Sequence, residues 1–378
     1  MLHAIQAPAT MVGDLLRATW DAGDAALVLP SGPAAAVDAL LERMRPDLLT
    51  VADRTGKVVS QPVTDGAGVD DDVALVVATS GSTGAPKGVE LTHAALHAST
   101  SASLARLGCN RGERWALVLP THHIAGLQVL FRSWELGTEA QVADDLASVD
   151  AEHVSVVPTQ LHRALESGVD VARFSTVLIG GSGAPDGLLD RARDAGAQLV
   201  TSYGMSETCG GCVYDGVPLD GVDVEVADGA VRIRGPVLLK RYRGPRADAP
   251  LDPPLDSNGW FTTADRGRLI DGHLEVLGRA DDVIVTGGEN VPATAVTNVL
   301  RAHPAVADAA VYPIADVDWG HVVAAAIVPT DPTDAPTLTN LREHVRKELP
   351  ASHVPKRLRV IDRIPRTDLG KLDRQHLT

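Results

Sequence analysis

Residues 73–78 read Val-Ala-Leu-Val-Val-Ala, an apolar, β-branched run long enough for one buried strand and too short for a helix. A polar loop follows, in which Thr79, Ser80, Ser82 and Thr83 alternate with Gly81 and Gly84 before Pro86-Lys87-Gly88. Thr92 is suited to cap a helix, and Ala95, Leu96, Leu104 and Leu107 supply its apolar positions. Upstream, helix patterns at 12–22 and 34–44 flank a strand pattern at 25–29, with Pro30-Ser31-Gly32-Pro33 as the turn. Downstream, strand patterns at 115–119, 154–157, 177–179 and 198–201 alternate with helical stretches at 127–136, 160–167 and 185–195. Such alternation predicts largely parallel sheets covered by helices, with ligands beyond the carboxyl ends of the strands. The polar loops 79–88, 120–126, 180–185 and 202–211 fall at that edge. From 222 to 274 the texture changes to short alternating segments broken by Gly, Pro and Asp, which predicts a small β-rich subdomain.

A chain of 378 residues exceeds one comfortable core. The expected class is α/β: a large N-terminal domain over 1–279 whose mostly parallel sheets are covered by helices, with the β-rich subdomain at about 220–278. A small α+β C-terminal domain is expected over 280–378. No run of about 18 apolar residues occurs, and no basic stretch followed by an apolar one opens the chain, so the expectation is a cytoplasmic protein without a membrane span. A formal charge of −15 argues against nucleic acid or an anionic membrane as partner. Residues 342–378 nevertheless hold ten Lys/Arg against five Asp/Glu, a local +5 that leaves −20 elsewhere. This basic end suits contact with phosphates as well as it suits a solvated helix face.

Three cysteines suit a reducing compartment. Cys209 and Cys212 form a bare C-x-x-C without further ligands at finger-like spacing, so neither zinc nor redox chemistry is expected of them. Whether the chain forms a homo-oligomer is left open.

Strand, glycine- and hydroxyl-rich loop and helix form a common phosphate-holding device, in which backbone N–H groups wrap the oxyanions and a lysine adds charge. The nucleotide-triphosphatase P-loop does not fit, because it requires Gly-Lys-Ser/Thr and Lys87 lies between Pro86 and Gly88. The string TSGSTGAPKG (79–88) instead resembles the signature loop of the adenylate-forming superfamily of acyl-CoA synthetases, luciferases and non-ribosomal adenylation domains. Further strings match in that superfamily's order. Ser202-Tyr203-Gly204-Met205-Ser206-Glu207-Thr208 resembles its YGxTE motif, with Ser206 where threonine is usual. The resemblance implies that Tyr203 lies against adenine and Glu207 holds magnesium on the triphosphate, a ligand set that suits this hard cation. Thr262-Thr263-Ala264-Asp265 resembles its TGD-type motif and implies that Asp265 accepts hydrogen bonds from ribose hydroxyls. In Gly278-Arg279-Ala280-Asp281-Asp282, Arg279 is implied to contact ribose or phosphate and Asp281 to be the hinge. Gly287, Gly288 and Glu289 fall on the loop implied in the CoA step, and Lys371 of Ile364–Lys371 matches the catalytic lysine. Only six lysines occur, and Lys87 and Lys371 are two of them.

The family resemblance implies two half-reactions: a carboxylic acid and ATP·Mg²⁺ give an acyl-adenylate and pyrophosphate, and CoA then takes the acyl group with release of AMP. It also implies that the C-terminal domain is mobile and rotates between the steps. Gly181, within IGGSGAP (179–185), belongs to the implied nucleotide set, and with 202–216 and 284–291 this string most resembles the o-succinylbenzoate–CoA ligases of menaquinone biosynthesis. His123 matches the acyl-pocket histidine in HxxG, and Gly204 is expected beside the acid; the role of His122 stays open. Gln128 and Arg132 lie four apart on the predicted helix and share a face. Arg132 is therefore a candidate reader of a second carboxylate, or else a surface arginine. The rival functional readings are a ligase for another aryl or medium-chain acid, and an adenylation enzyme loading a carrier protein.

Overall fold

The computed structural model describes residues 1–32, 34–80, 86–184, 187–244, 255–366, 372–373 and 376–377. Two seven-stranded sheets dominate it. The first has a parallel centre built from Val73–Ser80, Ala25–Val28, Leu2–Gln6 and Leu48–Ala52. Antiparallel strands close it on both sides: Val58–Pro62 at one edge, and Pro86–Thr92 followed by Arg241–Arg243 at the other. The second has parallel Leu199–Met205, Thr176–Ile179, His153–Val156, Trp115–Leu117 and Gln141–Val142, extended by antiparallel Gly210–Tyr214 and Val217–Pro218.

The helices His93–Leu107 and Ile124–Glu135 pack on each other and join the two sheets in one hydrophobic core. Thr92 caps the first of them, its hydroxyl accepting the Ala95 N–H at 3.1 Å. Helix Ile124–Glu135 is buried over most of its circumference, as an apolar stretch interrupted before its final residue only by Gln128, Arg132 and Ser133 requires. Trp20, Phe131 and Trp134 pack ring against ring where helix Ala9–Asp21 meets this one.

The β-rich region is a four-stranded antiparallel sheet of Asp223–Ala227, Ala230–Arg234, Phe261–Ile270 and His273–Arg279. A further sheet, Glu289–Pro292, Val283–Thr286, Gly320–Pro329 and Val306–Asp316 with Arg357–Val360 alongside, carries helices Ala293–Arg301 and Leu338–Glu348 over its own core. The α/β class read from the sequence is the class observed, with the parallel strands central and the antiparallel ones at the edges.

Three local expectations are corrected. The segment after the glycine-rich loop enters a strand, Pro86–Thr92, before the helix begins, because Lys87, Val89 and Leu91 alternate with Gly88 and Glu90 and pair with the preceding strand. Residues 202–205 belong to a strand running on to Met205, because the antiparallel partner Gly210–Tyr214 extends the ladder past a bulge at Tyr203/Gly204. Within the region expected to be one β-rich unit, Arg241–Arg243 leaves that sheet and joins the first. Strands Leu2–Gln6, Leu48–Ala52 and Val58–Pro62 fall where no strand was expected.

Candidate active site

Lys87, on strand Pro86–Thr92, places its Nζ 2.9 Å from Glu207 Oε1. Glu207 is 8% exposed and sits in a single 3₁₀ turn, Ser206–Thr208, just beyond strand Leu199–Met205. Tyr242, from strand Arg241–Arg243, donates its hydroxyl to the same Oε1 at 2.9 Å, and Lys87 Nζ lies 3.8 Å from the centre of its ring. Burial, with the Glu207 carboxylate beside it, pushes the Tyr242 phenol far above its ordinary value, so it remains a donor across the working pH range. A carboxylate buried beside an ammonium and a phenol presents hard oxygens of the kind a nucleotide-bound magnesium takes.

A second group forms around Asp265, on strand Phe261–Ile270. Tyr203 donates its hydroxyl to Asp265 Oδ2 at 2.8 Å, and Arg279 Nη1 is 3.7 Å from Oδ1. The Asp265 N–H donates to Thr263 Oγ1 at 3.0 Å, which fixes the backbone at the carboxylate. Tyr203, like Tyr242, is raised far above its ordinary value, by burial first and by Asp265 second.

Between Tyr203 and Glu207 the backbone is pinned from both sides. At Gly204 a Cβ would fall 2.0 Å from the Gly210 carbonyl oxygen, so only glycine lets the two strands approach here. Gly204→Ala is expected to cost about 1–3 kcal/mol of stability, as overpacking does, and to remove nucleotide turnover as the Tyr203–Glu207 spacing opens; urea unfolding and pyrophosphate exchange measure the two effects. Thr208 Oγ1 donates to the Gly210 carbonyl at 2.6 Å and receives the Met205 N–H at 2.9 Å, tightening the same turn.

Gln128 lies beneath that turn. Its Nε2 donates to the Cys209 carbonyl at 2.7 Å and to Ser99 Oγ at 3.3 Å, while its Oε1 accepts from Thr100 Oγ1 at 3.2 Å. Its amide is thus engaged as a strut, and Cys209 above it holds a left-handed φ of 52°. Arg132, 4% exposed, donates from Nη1 to Ser155 Oγ at 3.0 Å and lies 4.6 Å over the Trp115 ring. It is a core residue, so the surface alternative is excluded. Nine residues beyond His123, it stands about 13 Å further along the helix axis.

His123 is the N-cap residue of that helix, and its ring centre lies 4.1 Å from that of His122. Gly181, with φ 86°, follows strand Thr176–Ile179; Ser202 sits on the bulged strand, and Ser206 opens the 3₁₀ turn. Thr79 Oγ1 donates to the Lys87 carbonyl at 3.4 Å, and Ser80 ends the strand before the loop. Gly81, Ser82, Thr83, Gly84 and Lys371 lie outside the described residues. Asp281 falls in the 3₁₀ turn Ala280–Asp282. Gly287 and Gly288 form the two-residue turn between Val283–Thr286 and Glu289–Pro292. A Cβ on Gly287 would lie 2.5 Å from Trp319, whose carbonyl accepts the Gly287 N–H at 3.0 Å.

Cys209 and Cys212 are buried free thiols, and burial pushes Cys212 up to about 12. Among the described residues neither joins a group that could ligate a metal. Sequence reasoning missed Tyr242 and Trp319. Four tyrosines in the whole chain, with one set between two arginines in Arg241-Tyr242-Arg243, were a usable signal for the first.

A buried carboxylate facing a lysine on a hairpin, beside a tyrosine–aspartate pair, is the arrangement of a nucleotide-handling enzyme, and the chain belongs to the AMP-binding enzyme family. That family's model matches residues 16–238, and the AMP-binding enzyme C-terminal domain model matches 295–371. The chain is 46% identical over 333 residues to a Mycobacterium tuberculosis protein named "Probable 2-succinylbenzoate–CoA ligase", covering 82% of this chain and 85% of that one. It is similar in structure to o-succinylbenzoate CoA synthetase (MenE) of Bacillus subtilis in complex with the acyl-adenylate intermediate OSB-AMP: TM-score 0.84, 28% identity, 100% of this chain and 87% of that one. The same synthetase in complex with ATP and magnesium ion gives TM-score 0.83 and 29% identity over 100% of this chain and 89% of that one.

Proposed function

We propose that this chain is an ATP-dependent, AMP-forming acid–CoA ligase that acts on o-succinylbenzoate in menaquinone biosynthesis. The observation that carries the reading is the buried Glu207 held between Lys87 and Tyr242, one turn beyond the Tyr203–Asp265 pair. The likeness to the named ligase and to synthetases in complex with OSB-AMP or with ATP and magnesium supports the choice of acid and nucleotide. No helix among the described residues is long and apolar enough to cross a membrane. The three free thiols and the need for ATP and CoA fit work in the cytoplasm.

In this reading Tyr203 lies along the purine, and Asp265, already aimed by Tyr203 and Arg279, accepts from the ribose hydroxyls. Both reactants of the first step are anions, so positioning and charge neutralisation account for most of the barrier that must be removed. The Thr79–Lys87 hairpin wraps the phosphates, and Lys371 brings an ammonium to the α-phosphate, where negative charge grows as the substrate carboxylate attacks and pyrophosphate leaves. Magnesium bound with the triphosphate supplies further neutralisation, and Glu207 is the residue that would hold it. His123 and Gly204 border the acid. Gln128 and Arg132, four apart on one helix, are the residues proposed to meet the second carboxylate of the acid, Arg132 directly or through water.

The part from 280 onward is proposed to turn about Asp281 as a separate domain. It would withdraw Lys371 and bring Gly287, Gly288 and Glu289 to the acyl-adenylate for the CoA step. The test is AMP release with ATP, Mg²⁺ and CoA over a panel of acids. The expected result is release that depends on o-succinylbenzoate above all. Release with another aryl or medium-chain acid alone corrects the substrate, and acyl transfer to a carrier protein in preference to CoA corrects the acceptor. A folded chain that yields no AMP or pyrophosphate with any acid refutes the reading.

A further inference from the structure

Strand Arg241–Arg243 is anchored through one face and presents a single side chain on the other. Arg241 and Arg243 pair opposite Glu90 and Gly88 of the neighbouring strand, and Tyr242 pairs opposite Val89. Period-two alternation therefore sets both arginines on one face, and Tyr242 on the face that also carries Lys87. On the arginine face, Glu90, 1% exposed, has its Oε2 2.7 Å from Arg241 Nε and its Oε1 3.3 Å from Arg243 Nη1. Arg243 further donates to the carbonyls of Met44 at 2.6 Å, Gly68 at 3.1 Å and Arg45 at 3.2 Å. The segment just before it bridges to the site: the Leu239 N–H donates to the Glu207 carbonyl at 2.8 Å, and the Lys240 N–H to the Glu90 carbonyl at 2.9 Å. Strand and turn are thus held at a fixed separation before Tyr242 reaches across.

We propose that Tyr242 is the positioning residue for the magnesium–triphosphate end of the site: its hydroxyl fixes Glu207 through Oε1, and its ring seats the Lys87 ammonium against that carboxylate. Both contacts fall on Oε1, and Oε2 takes part in neither. Tyr242 acts through Glu207 and Lys87, and the assignment rests on the ATP-dependent reading above. A hydrogen bond to a charged group is among the stronger ones, and an ammonium over an aromatic face is held in place by the ring quadrupole. Losing the hydroxyl alone should therefore loosen Glu207, and losing the ring as well should release Lys87.

The test compares Tyr242→Phe and Tyr242→Leu with the unaltered full chain by calorimetric titration with Mg·ATP and, separately, with AMP, without acid. Tyr242→Phe is expected to weaken Mg·ATP about tenfold and AMP less than twofold, since AMP lacks the phosphates that Glu207 and Lys87 serve; Tyr242→Leu is expected to weaken Mg·ATP further. In turnover, the KM for Mg·ATP should rise while the KM for the acid stays within twofold. On a Glu207→Gln background, Tyr242→Phe should add less than twofold, because its route of action has been removed. Mg·ATP binding by Tyr242→Phe equal to that of the unaltered chain, equal losses for AMP and Mg·ATP, or full additivity with Glu207→Gln each overturn the assignment. If the unaltered chain binds neither nucleotide, the ligase reading fails and takes this proposal with it. If it binds both and Tyr242→Phe is indistinguishable, only the role of Tyr242 falls.

Discussion

Lys371→Ala is expected to slow acyl-adenylate formation by about 10²–10³-fold, the order seen when one preorganised electrostatic donor is removed from a transition state. Transfer of a pre-formed acyl-adenylate to CoA should stay within a few-fold of the unaltered chain. The asymmetry follows from the proposed two-step chemistry: in the first step an anion would attack a triphosphate, whereas in the second a thiol would displace AMP with Lys371 withdrawn. Pyrophosphate exchange reads the first step and thioester formation from synthetic acyl-adenylate reads the second. Equal loss in both would sink the two-pose account of residues 280–378. Loss in neither would remove Lys371 from the chemistry.

Arg243→Ala carries the largest expected effect on stability. The side chain is 9% exposed and gathers the carbonyls of Met44, Arg45, Ala67 and Gly68, with Glu90, onto one guanidinium. These carbonyls come from the end of helix Ala34–Met44 and from the segment before the central strand, so one fork ties three parts of the chain to the sheet edge. Its removal takes the guanidinium donor from the Met44, Ala67 and Gly68 carbonyls, while the Arg45 carbonyl keeps the Ala67 N–H, and leaves Glu90 with Arg241 as its remaining arginine partner. Breaking a buried charged network of this kind costs about 3–5 kcal/mol. Unfolding in urea should show a midpoint lowered accordingly, and a fall in Tm of roughly 10 °C is the thermal counterpart. A change below about 1 kcal/mol would mean that water satisfies these carbonyls as well as Arg243 does. Since the same strand carries Tyr242, a milder Arg243→Lys variant should weaken Mg·ATP before it lowers stability by a comparable amount, because an ammonium cannot reproduce the fork.

The contrast between Arg132 and Lys87 illustrates what a linear pattern conveys. Both are cations in informative surroundings. Arg132, alone in an apolar helix, left a reader of a second carboxylate and a surface arginine both open, and its burial over the Trp115 face with Ser155 on Nη1 excludes only the surface alternative. Lys87, in a motif read as a loop, proved to sit on a strand, and that placement brings it within 2.9 Å of Glu207, 120 residues later in the chain. Gln128, one turn before Arg132 on its helix, donates its amide to the Cys209 carbonyl.

By itself the sequence determined the features set by local physics. These include the alternation of strands and helices, the Thr92 cap and the short segments of the β-rich region. They also include the motif strings carrying Thr79–Lys87, Tyr203–Glu207, Asp265, Arg279 and Lys371. Propensity, capping and periodicity act over a few residues, so they are legible one window at a time. Only the tertiary structure decided that residues 241–243 form an edge strand of the first sheet beside 86–92, that Tyr203 points its hydroxyl at Asp265, and that Tyr242 reaches Glu207. The pairings of 241–243 with 88–90, of Tyr203 with Asp265 and of Tyr242 with Glu207 join residues 35 to 155 positions apart, through ladder register and through whichever buried polar groups lack a partner. No window of sequence contains both members of such a pair.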